Sequence, residues 1–220
     1  LPGPLDSAGV AEEIAGIQAE SSSRTMGRTA SRHADRYFQT GHPGWATLFT
    51  HAMRRLEALQ IEEGAADDVR TCELIFLQWD RIEEGAAFTD SQRLELVNIF
   101  HRFAYRLRYA TREAKPSETP HGNDWNAAGA SYAGLYFSRY YPNLSIGKRL
   151  LKNLDVHYEP NMVNWKVNED CPGYGDITLT DNYQWAMHRP DERYFDNGSL
   201  RKMADFDMLV TNNLGEVSGF

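Results

Sequence analysis

The spacing of apolar residues constrains the fold of this chain more than any other feature of its sequence. In many segments apolar residues recur at positions i, i+3, i+4 and i+7, which places them on one face of an α-helix. No segment shows the apolar and polar alternation of a half-buried β-strand. The sequence therefore predicts an all-α fold. The clearest apolar face lies in residues 45–59 and consists of Trp45, Leu48, Phe49, Ala52, Met53, Leu56 and Leu59.

Turn residues divide the periodic segments into one short helix and eight longer ones. The run Thr-Gly-His-Pro-Gly at residues 40–44 ends one helix, because glycine favours a left-handed C-terminal cap and proline blocks continuation. Residues 157–175 contain two prolines and two glycines and are predicted to form an irregular loop. The predicted helices lie at residues 10–20, 30–40, 45–59, 69–83, 91–113, 123–141, 144–156, 177–188 and 198–212.

Helices joined by short turns, without sustained heptads, favour antiparallel helical hairpins over a coiled coil. The turn at residues 40–44 follows a helix of alanine and aromatic residues, a pattern typical of (α/α) toroids. We therefore expect a single domain over residues 1–220, in which helical hairpins form an incomplete (α/α) toroid. The helix at residues 123–141 is rich in small residues and is predicted to be buried.

Composition and charge exclude several classes of protein. The chain has 23 Lys+Arg against 31 Asp+Glu, a net charge of -8, whereas a general nucleic-acid-binding surface is basic. It lacks a run of about 18 uncharged apolar residues, so we expect no membrane span. Cys72 and Cys171 lie too far apart in the sequence to form a recognised metal-ligand pair, and whether they form a disulfide is open.

No metal or other cofactor is predicted. The first residues lack a basic region followed by an apolar run, so no signal peptide is expected within this sequence. Several polar residues after position 156 follow no recognised ligand spacing and are interpreted as loop polarity: His157, Glu159, Asn161, Glu169, Asp170 and Asp176.

Two polar segments carry the candidate chemistry. Residues 120–126, Pro-His-Gly-Asn-Asp-Trp-Asn, place an imidazole, two amides, a carboxylate and an indole at the entry of an apolar helix. Helix capping by Asn123 or Asp124 explains part of this pattern. In residues 169–176, Glu-Asp-Cys-Pro-Gly-Tyr-Gly-Asp, glycines and acids flank Tyr174. This tyrosine either projects from a loop into a cleft or lies in an ordinary turn.

Together the two segments favour a hydrolytic or eliminating site for a sugar. Aromatic side chains stack on sugar rings, amides bind hydroxyls or carboxylates, and a tyrosine can transfer protons. No nucleophile elbow, phosphate loop or HExxH motif occurs. Four histidines have no ligand spacing and are predicted to be surface or packing residues: His33, His42, His51 and His188.

The chain resembles the heparinase II/III-like polysaccharide lyases and their alginate and ulvan lyase relatives over roughly residues 30–220. The resemblance is carried by Asn-Asp-Trp-Asn-Ala-Ala-Gly at residues 123–129, Ala-Gly-Leu-Tyr-Phe at 133–137, the segment 169–174, and Thr-Asn-Asn-Leu-Gly at 211–215 followed by Gly-Phe at 219–220. In that family an α/α toroid precedes a β-sandwich, and uronate chains are cut by β-elimination between them.

The resemblance implies the roles of individual residues. Asn123, with His121 as a second candidate, would neutralise the uronate carboxylate, and Tyr174 would serve as general base, general acid or both. A tyrosine with its usual pKa of about 10 needs a nearby cation to act as a base near neutral pH. His121, His157, Arg106 and Arg112 are the candidates for that cation. Predicted substrate-binding residues are Trp125, Asn126, Asp124, Glu169 and Asp170.

The family's β-sandwich has no counterpart in this sequence, so we expect the chain to be part of a longer, secreted or periplasmic lyase acting on an anionic polysaccharide. An alternative is a glycoside hydrolase on the same scaffold, with Asp124 and either Asp170 or Asp176 as the pair of carboxyl groups. Another alternative is a non-catalytic helical module that binds glycan. The net negative charge would repel a polyanion unless arginines of the helix at residues 91–113 line the cleft.

Overall fold

The computed structural model describes residues 5–63, 69–111, 121–163, 172–189 and 192–210, which are mainly helical and contain no β-strand. The predicted all-α class is confirmed. None of the helices in these ranges is both long and apolar enough to cross a lipid bilayer. In chain order the helices are α1 (Ser7–Ala19), α2 (Ser23–Thr40), α3 (Pro43–Glu63), α4 (Val69–Ile82), α5 (Asp90–Arg106), α6 (Arg108–Thr111), α7 (His121–Tyr140), α8 (Ser145–Val163), α9 (Pro172–His188), α10 (Arg193–Asp196) and α11 (Ser199–Val210).

The turn between α2 and α3 has the predicted local chemistry. Gly41 caps α2 in the left-handed conformation, with φ of 66°, and its N–H donates to the Tyr37 carbonyl at 2.7 Å. Pro43 is the first residue of α3, where its missing N–H costs nothing. Because two residues separate two helices that pack on each other, α2 and α3 form a helical hairpin.

The longer helices lie in two layers. Helices α2, α4, α7 and α9 each contact the next in that order, while α3, α5 and α8 form the second layer. Two ion pairs join α3 to α5: Arg54 to Glu95 at 2.6 Å, and Arg102 to Glu57. The later residue of α3 pairs with the later residue of α5, so α3 and α5 run in the same direction.

The direction of α7 relative to α9 follows from their contacts with α8. Gly147 of α8 faces Ser138 of α7, whereas Leu151, further along α8, faces Gly134, so α7 and α8 are antiparallel. Helices α8 and α9 are also antiparallel, because Asp155 pairs with Arg189 while Tyr158 stacks on Trp185. Helices α7 and α9 therefore run in the same direction.

The core is centred on Trp79 of α4, which is fully buried. Its ring lies 5.9 Å from Phe49, 5.5 Å from Phe88 and 5.6 Å from Phe100, between centroids. Its indole N–H donates to the Tyr136 hydroxyl at 2.9 Å. The hydroxyl in turn donates to Glu83 at 2.6 Å, and Tyr141 donates to the same carboxylate at 3.1 Å. This network joins both layers around one indole ring.

The predicted burial of the helix at 123–141 is confirmed for the middle of the helix, whereas Arg139 and Tyr140 near its end are exposed. Five consecutive residues of α7, at positions 127–131, are buried. An added Cβ at Gly134 would lie 2.9 Å from the Leu151 side chain, so the glycine lets α8 approach closely.

Two predicted segments were wrong. The helix expected at 91–113 breaks at Leu107, whose backbone is extended with φ of -60° and ψ of 140°. The break lets Leu107, Tyr109 and Ala110 all be buried, and neither glycine nor proline marks it in the sequence.

The loop predicted at 157–175 is helical at both ends. Helix α8 continues through Pro160 to Val163, and α9 begins at Pro172. Met162, beyond the proline, is 1% exposed, and its carbonyl accepts a bond from the Asn197 side chain at 2.9 Å. Burial of the last turn and this side-chain cap offset the hydrogen bond that the proline removes.

The close contact between α7 and α8 predicts a large effect of one methyl group. A Cβ at Gly147 would lie 2.6 Å from both the backbone N and the Oγ of Ser138, so Gly147→Ala should reduce the free energy of unfolding by about 1–3 kcal/mol. The matched control is Gly16→Ala in α1, where a Cβ meets nothing within 4 Å. That change should be neutral or stabilise by up to about 1 kcal/mol. Urea denaturation measures both, and equal effects would contradict the packing argument.

Candidate functional site

The first predicted segment lies at the start of α7, which begins at His121. The helix was predicted to begin near Asn123 and begins two residues earlier, so Asn123 and Asp124 lie within its first turn and neither is the N-cap residue. The side chains at positions 121–126 lie outside the described part of the chain. These are His121, Asn123, Asp124, Trp125 and Asn126.

The second predicted segment differs from the expected loop. Tyr174 is the third residue of α9 rather than a loop residue between two glycines. Pro172 starts the helix, because its fixed φ suits the first helical position, and glycine is tolerated in a first turn that packing continues. Glu169, Asp170 and Cys171 lie outside the described residues, as does the side chain of Cys72. The pairing of the two cysteines therefore stays untested.

The first turns of α7 and α9 lie at the same end of the helical layer. The rings of Tyr132 and His188 meet with centroids 5.2 Å apart, which fixes the register of these two parallel helices. Tyr174 precedes His188 by about 21 Å of helix, and Asn123 precedes Tyr132 by about 14 Å. The two Cα atoms thus differ by about 8 Å along the helix direction, on helices whose axes are about 8–10 Å apart.

A cleft lies towards the other end of the same helices. It consists of two cavities of about 430 and 460 Å³, and Leu135 and His188 line both of them. The first cavity lies between α4, α7 and α9, and its polar and aromatic walls include Asp80, Tyr132, Tyr136, Arg139, Tyr140 and His188. The second lies among α7, α8, α9 and α10, with walls that include Asp155, Glu159, Trp185, His188, Arg189 and Arg193.

Ion pairs border the second cavity. Arg189 donates to Asp155 at 2.9 Å. Arg193 donates to both carboxylate oxygens of Glu159, at 2.7 and 2.9 Å. These side chains are about half exposed, so each pair contributes about 0–1 kcal/mol to stability. Their more evident effect is to neutralise the charges on this wall.

His188 occupies the junction of the two cavities. Its Nδ1 atom is buried and has no hydrogen-bond partner among the described residues. Burial lowers the pKa of His188 below its usual value, so the imidazole is neutral at neutral pH. The sequence did not identify this residue, which was predicted to be a surface or packing histidine. Its role depends on helices α7 and α9 meeting at Tyr132, a contact that sequence spacing does not reveal.

Two tyrosines of the first cavity are held as proton donors. Burial, followed by the hydrogen bond to Glu83, raises the pKa of Tyr136 far above its usual value. A hydrogen bond to Asp80 raises the pKa of Tyr140. Neither hydroxyl therefore ionises near neutral pH.

The cations proposed to assist Tyr174 lie in different places. His157 is 2% exposed and its Nδ1 lies 3.1 Å from the Tyr109 hydroxyl, so it is a core residue. Arg106 ends α5, whose described contacts are with α3, α6, α7 and α8. Arg112 and the side chain of His121 lie outside the described residues. Within the described ranges no three side chains of His, Cys, Asp or Glu come together as a metal site.

Comparison with known proteins does not assign this chain to a family. The chain matches no protein-family model, no curated protein and no solved structure. Arguments about function therefore depend on the residues and geometry of this chain.

His33 confirms the expectation of a packing histidine and generates a pH prediction. It is fully buried and stacks on Trp45 at 5.6 Å, and neither ring nitrogen has a hydrogen-bond partner in the part of the chain that the structure describes. Burial, with smaller effects of Arg32 and Arg36, lowers its pKa from 6.5 to about 4. Between these values the unfolded chain binds a proton that the folded chain does not. Stability should therefore fall by up to about 3 kcal/mol as the pH decreases from 6.5 to 4.

Urea denaturation of His33→Leu across the same pH range measures this contribution, since the variant lacks the titrating group. Its loss of stability on acidification should be smaller than that of the unchanged protein. His42→Gln, in the turn before α3, retains His33 and should keep the original slope. Identical slopes in all three proteins would refute the assignment.

Proposed function

We propose that this chain belongs to a polysaccharide lyase that cleaves a uronate-containing anionic glycan by β-elimination. Tyr174 would act as the base and acid, and Asn123 with His121 would neutralise the substrate carboxylate. The observation that carries the proposal is the common end of α7 and α9, where the first turns holding Asn123 and Tyr174 lie about 8 Å apart along the helix direction.

The proposed reaction needs a base, an acid and an anion-stabilising site. Tyr174, as its phenolate, would take the proton from C5 of the uronate, leaving negative charge that spreads onto the carboxylate. Asn123 and His121 would donate hydrogen bonds to that carboxylate, as in an oxyanion hole. The C4–O bond then breaks, the leaving oxygen takes the proton from Tyr174, and a C4–C5 double bond remains.

The helix termini support this placement of negative charge. Each helix N-terminus has unpaired N–H groups and a partial positive charge. Because α7 and α9 run in the same direction, both positive ends lie together at the proposed site. This local potential favours an anionic substrate on a chain whose net charge is -8.

Arg102 of the arginine-rich helix does not take that role. Arg102 of α5 is already paired with Glu57 of α3, in the other layer. The attraction for a polyanion is therefore proposed to come from the two helix termini rather than from the arginines of α5.

We further propose that the two layers form an arc of an (α/α) toroid. Alternate helices contact each other in chain order, and α3 with α5 and α7 with α9 are parallel, as in a ring of consecutive hairpins. A lyase of this kind would meet its polymeric substrate outside the cytoplasm, so we propose a secreted or periplasmic protein.

A glycoside hydrolase is the second candidate. Asp124 is the fourth residue of α7 and Asp176 the fifth of α9, so the register brings their backbones to the same end. A hydrolase needs two such carboxyl groups on either side of the bond that is cut. The products separate the two functions, because only the lyase creates an unsaturated sugar that absorbs in the ultraviolet.

Tyr174→Phe should reduce elimination by the full natural protein by about 100-fold or more, because the change removes the proton-transferring hydroxyl. Ultraviolet absorbance is followed with heparan sulfate, hyaluronan, alginate and ulvan as substrates. Asn123→Ala should also reduce the rate. The matched control is Tyr183→Phe, a half-exposed tyrosine further along α9 that should leave the rate unchanged.

Retained elimination in Tyr174→Phe would overturn the proposed role of this residue. New reducing ends without ultraviolet absorbance would establish the hydrolase instead. Binding of these glycans without any cleavage would identify the chain as a binding module.

A further inference from the structure

We propose that the cleft between α4, α7, α8, α9 and α10 is a second binding site, which takes a neutral oligosaccharide. It is separate from the proposed lyase site, since His188 lies about 21 Å along α9 from Tyr174. The proposal does not depend on the lyase activity.

The shape of the cleft fits a chain molecule. Its two cavities, of about 430 and 460 Å³, share Leu135 and His188 as lining residues, so they lie side by side across the contact between α7 and α9. Each cavity falls in the size range of a small-ligand site. A ligand that passes the junction would contact both.

Aromatic side chains line this space at regular intervals. Tyr132, Tyr136 and Tyr140 lie four residues apart on α7, and successive residues at that spacing share one helix face. Trp185 lines the second cavity. An aromatic ring with a polar edge suits a ligand that has apolar C–H faces and hydroxyls at its rim.

The charges of the cleft favour a neutral ligand. Among the described residues its walls hold three carboxylates, Asp80, Asp155 and Glu159, and three guanidinium groups, Arg139, Arg189 and Arg193. Two of the guanidinium groups are already bonded to carboxylates. A polyanion would face repulsion from the acids as well as attraction from the arginines.

Hydroxyl groups can use the same walls without that repulsion. A hydroxyl both donates and accepts, so it can bond to a carboxylate and a guanidinium at once. The arginine and carboxylate pairs are held by bonds of 2.7–2.9 Å and so present donors and acceptors in fixed positions. Such sets discriminate between ligands by the placement of their hydroxyls.

His188 supplies a further polar group at the junction. No described residue bonds to its buried Nδ1, and a neutral imidazole offers one acceptor and one donor. That atom is shielded from solvent, whereas the imidazole as a whole is partly exposed, so a ligand at the junction would contact the ring of His188.

The test is isothermal titration calorimetry of the full natural protein with neutral hexasaccharides of β-1,4-glucan, xylan, mannan and α-1,4-glucan. Hexagalacturonate serves as the anionic probe. We expect at least one neutral hexasaccharide to bind saturably, with little change in affinity when the salt concentration is raised. Tighter binding of hexagalacturonate that weakens with salt, or no binding of any neutral probe, would overturn the proposal.

Variants locate the binding site. His188→Ala and Tyr140→Ala should each reduce the affinity for the neutral ligand by about tenfold or more. The first removes a polar side chain from the wall of the cleft, and the second removes an aromatic one. Tyr105→Ala, an exposed tyrosine on α5, is the control and should bind as the unchanged protein does. Circular dichroism checks that each variant is folded. Unchanged affinity in both cleft variants would place the ligand elsewhere.

Tyr174→Phe separates this proposal from the lyase proposal. It should lose elimination yet bind the neutral hexasaccharide with full affinity. If neutral binding fails while elimination depends on Tyr174, only the second site is refuted.

Discussion

The indole of Trp79 is buried, so its apolar ring needs apolar neighbours and its N–H needs a hydrogen-bond acceptor. Both layers of helices supply these partners. Phe49, Phe88 and Phe100 surround the ring from α3, the α4–α5 connection and α5. The N–H reaches Tyr136 of α7, whose hydroxyl passes the bond to Glu83. A network of this kind is costly if one member is left unpaired. It therefore fixes how α7 lies on α4, and with that the row of tyrosines along the cleft.

Local sequence chemistry was sufficient for most of the helices and turns. The glycine and proline of the α2–α3 turn mark a boundary that the structure confirms. The errors occurred where packing outweighs local preference. Leu107 breaks a helix in order to bury itself, and α8 continues through Pro160 because the turn beyond it is buried and capped.

In the candidate site, too, local features were predicted from sequence and features that depend on packing were not. The helix entry at Asn123 was predicted from sequence, and the location of Tyr174 in a first turn was not. The cleft was missed altogether, because its walls come from five helices and no short motif contains them. His188 illustrates the reason: its significance depends on the contact with Tyr132, 56 positions earlier in the chain.

The order of contacts between helices also determines how the chain can unfold in parts. Each helix of the α2, α4, α7 and α9 layer contacts mainly its neighbours in the sequence of hairpins, as in repeat proteins whose stability is a sum of unit and interface contributions. Opening can begin at either end, at α1 or α11, and stop before it reaches Trp79. Partial unfolding therefore leaves a folded centre that retains the junction of α4 with α7.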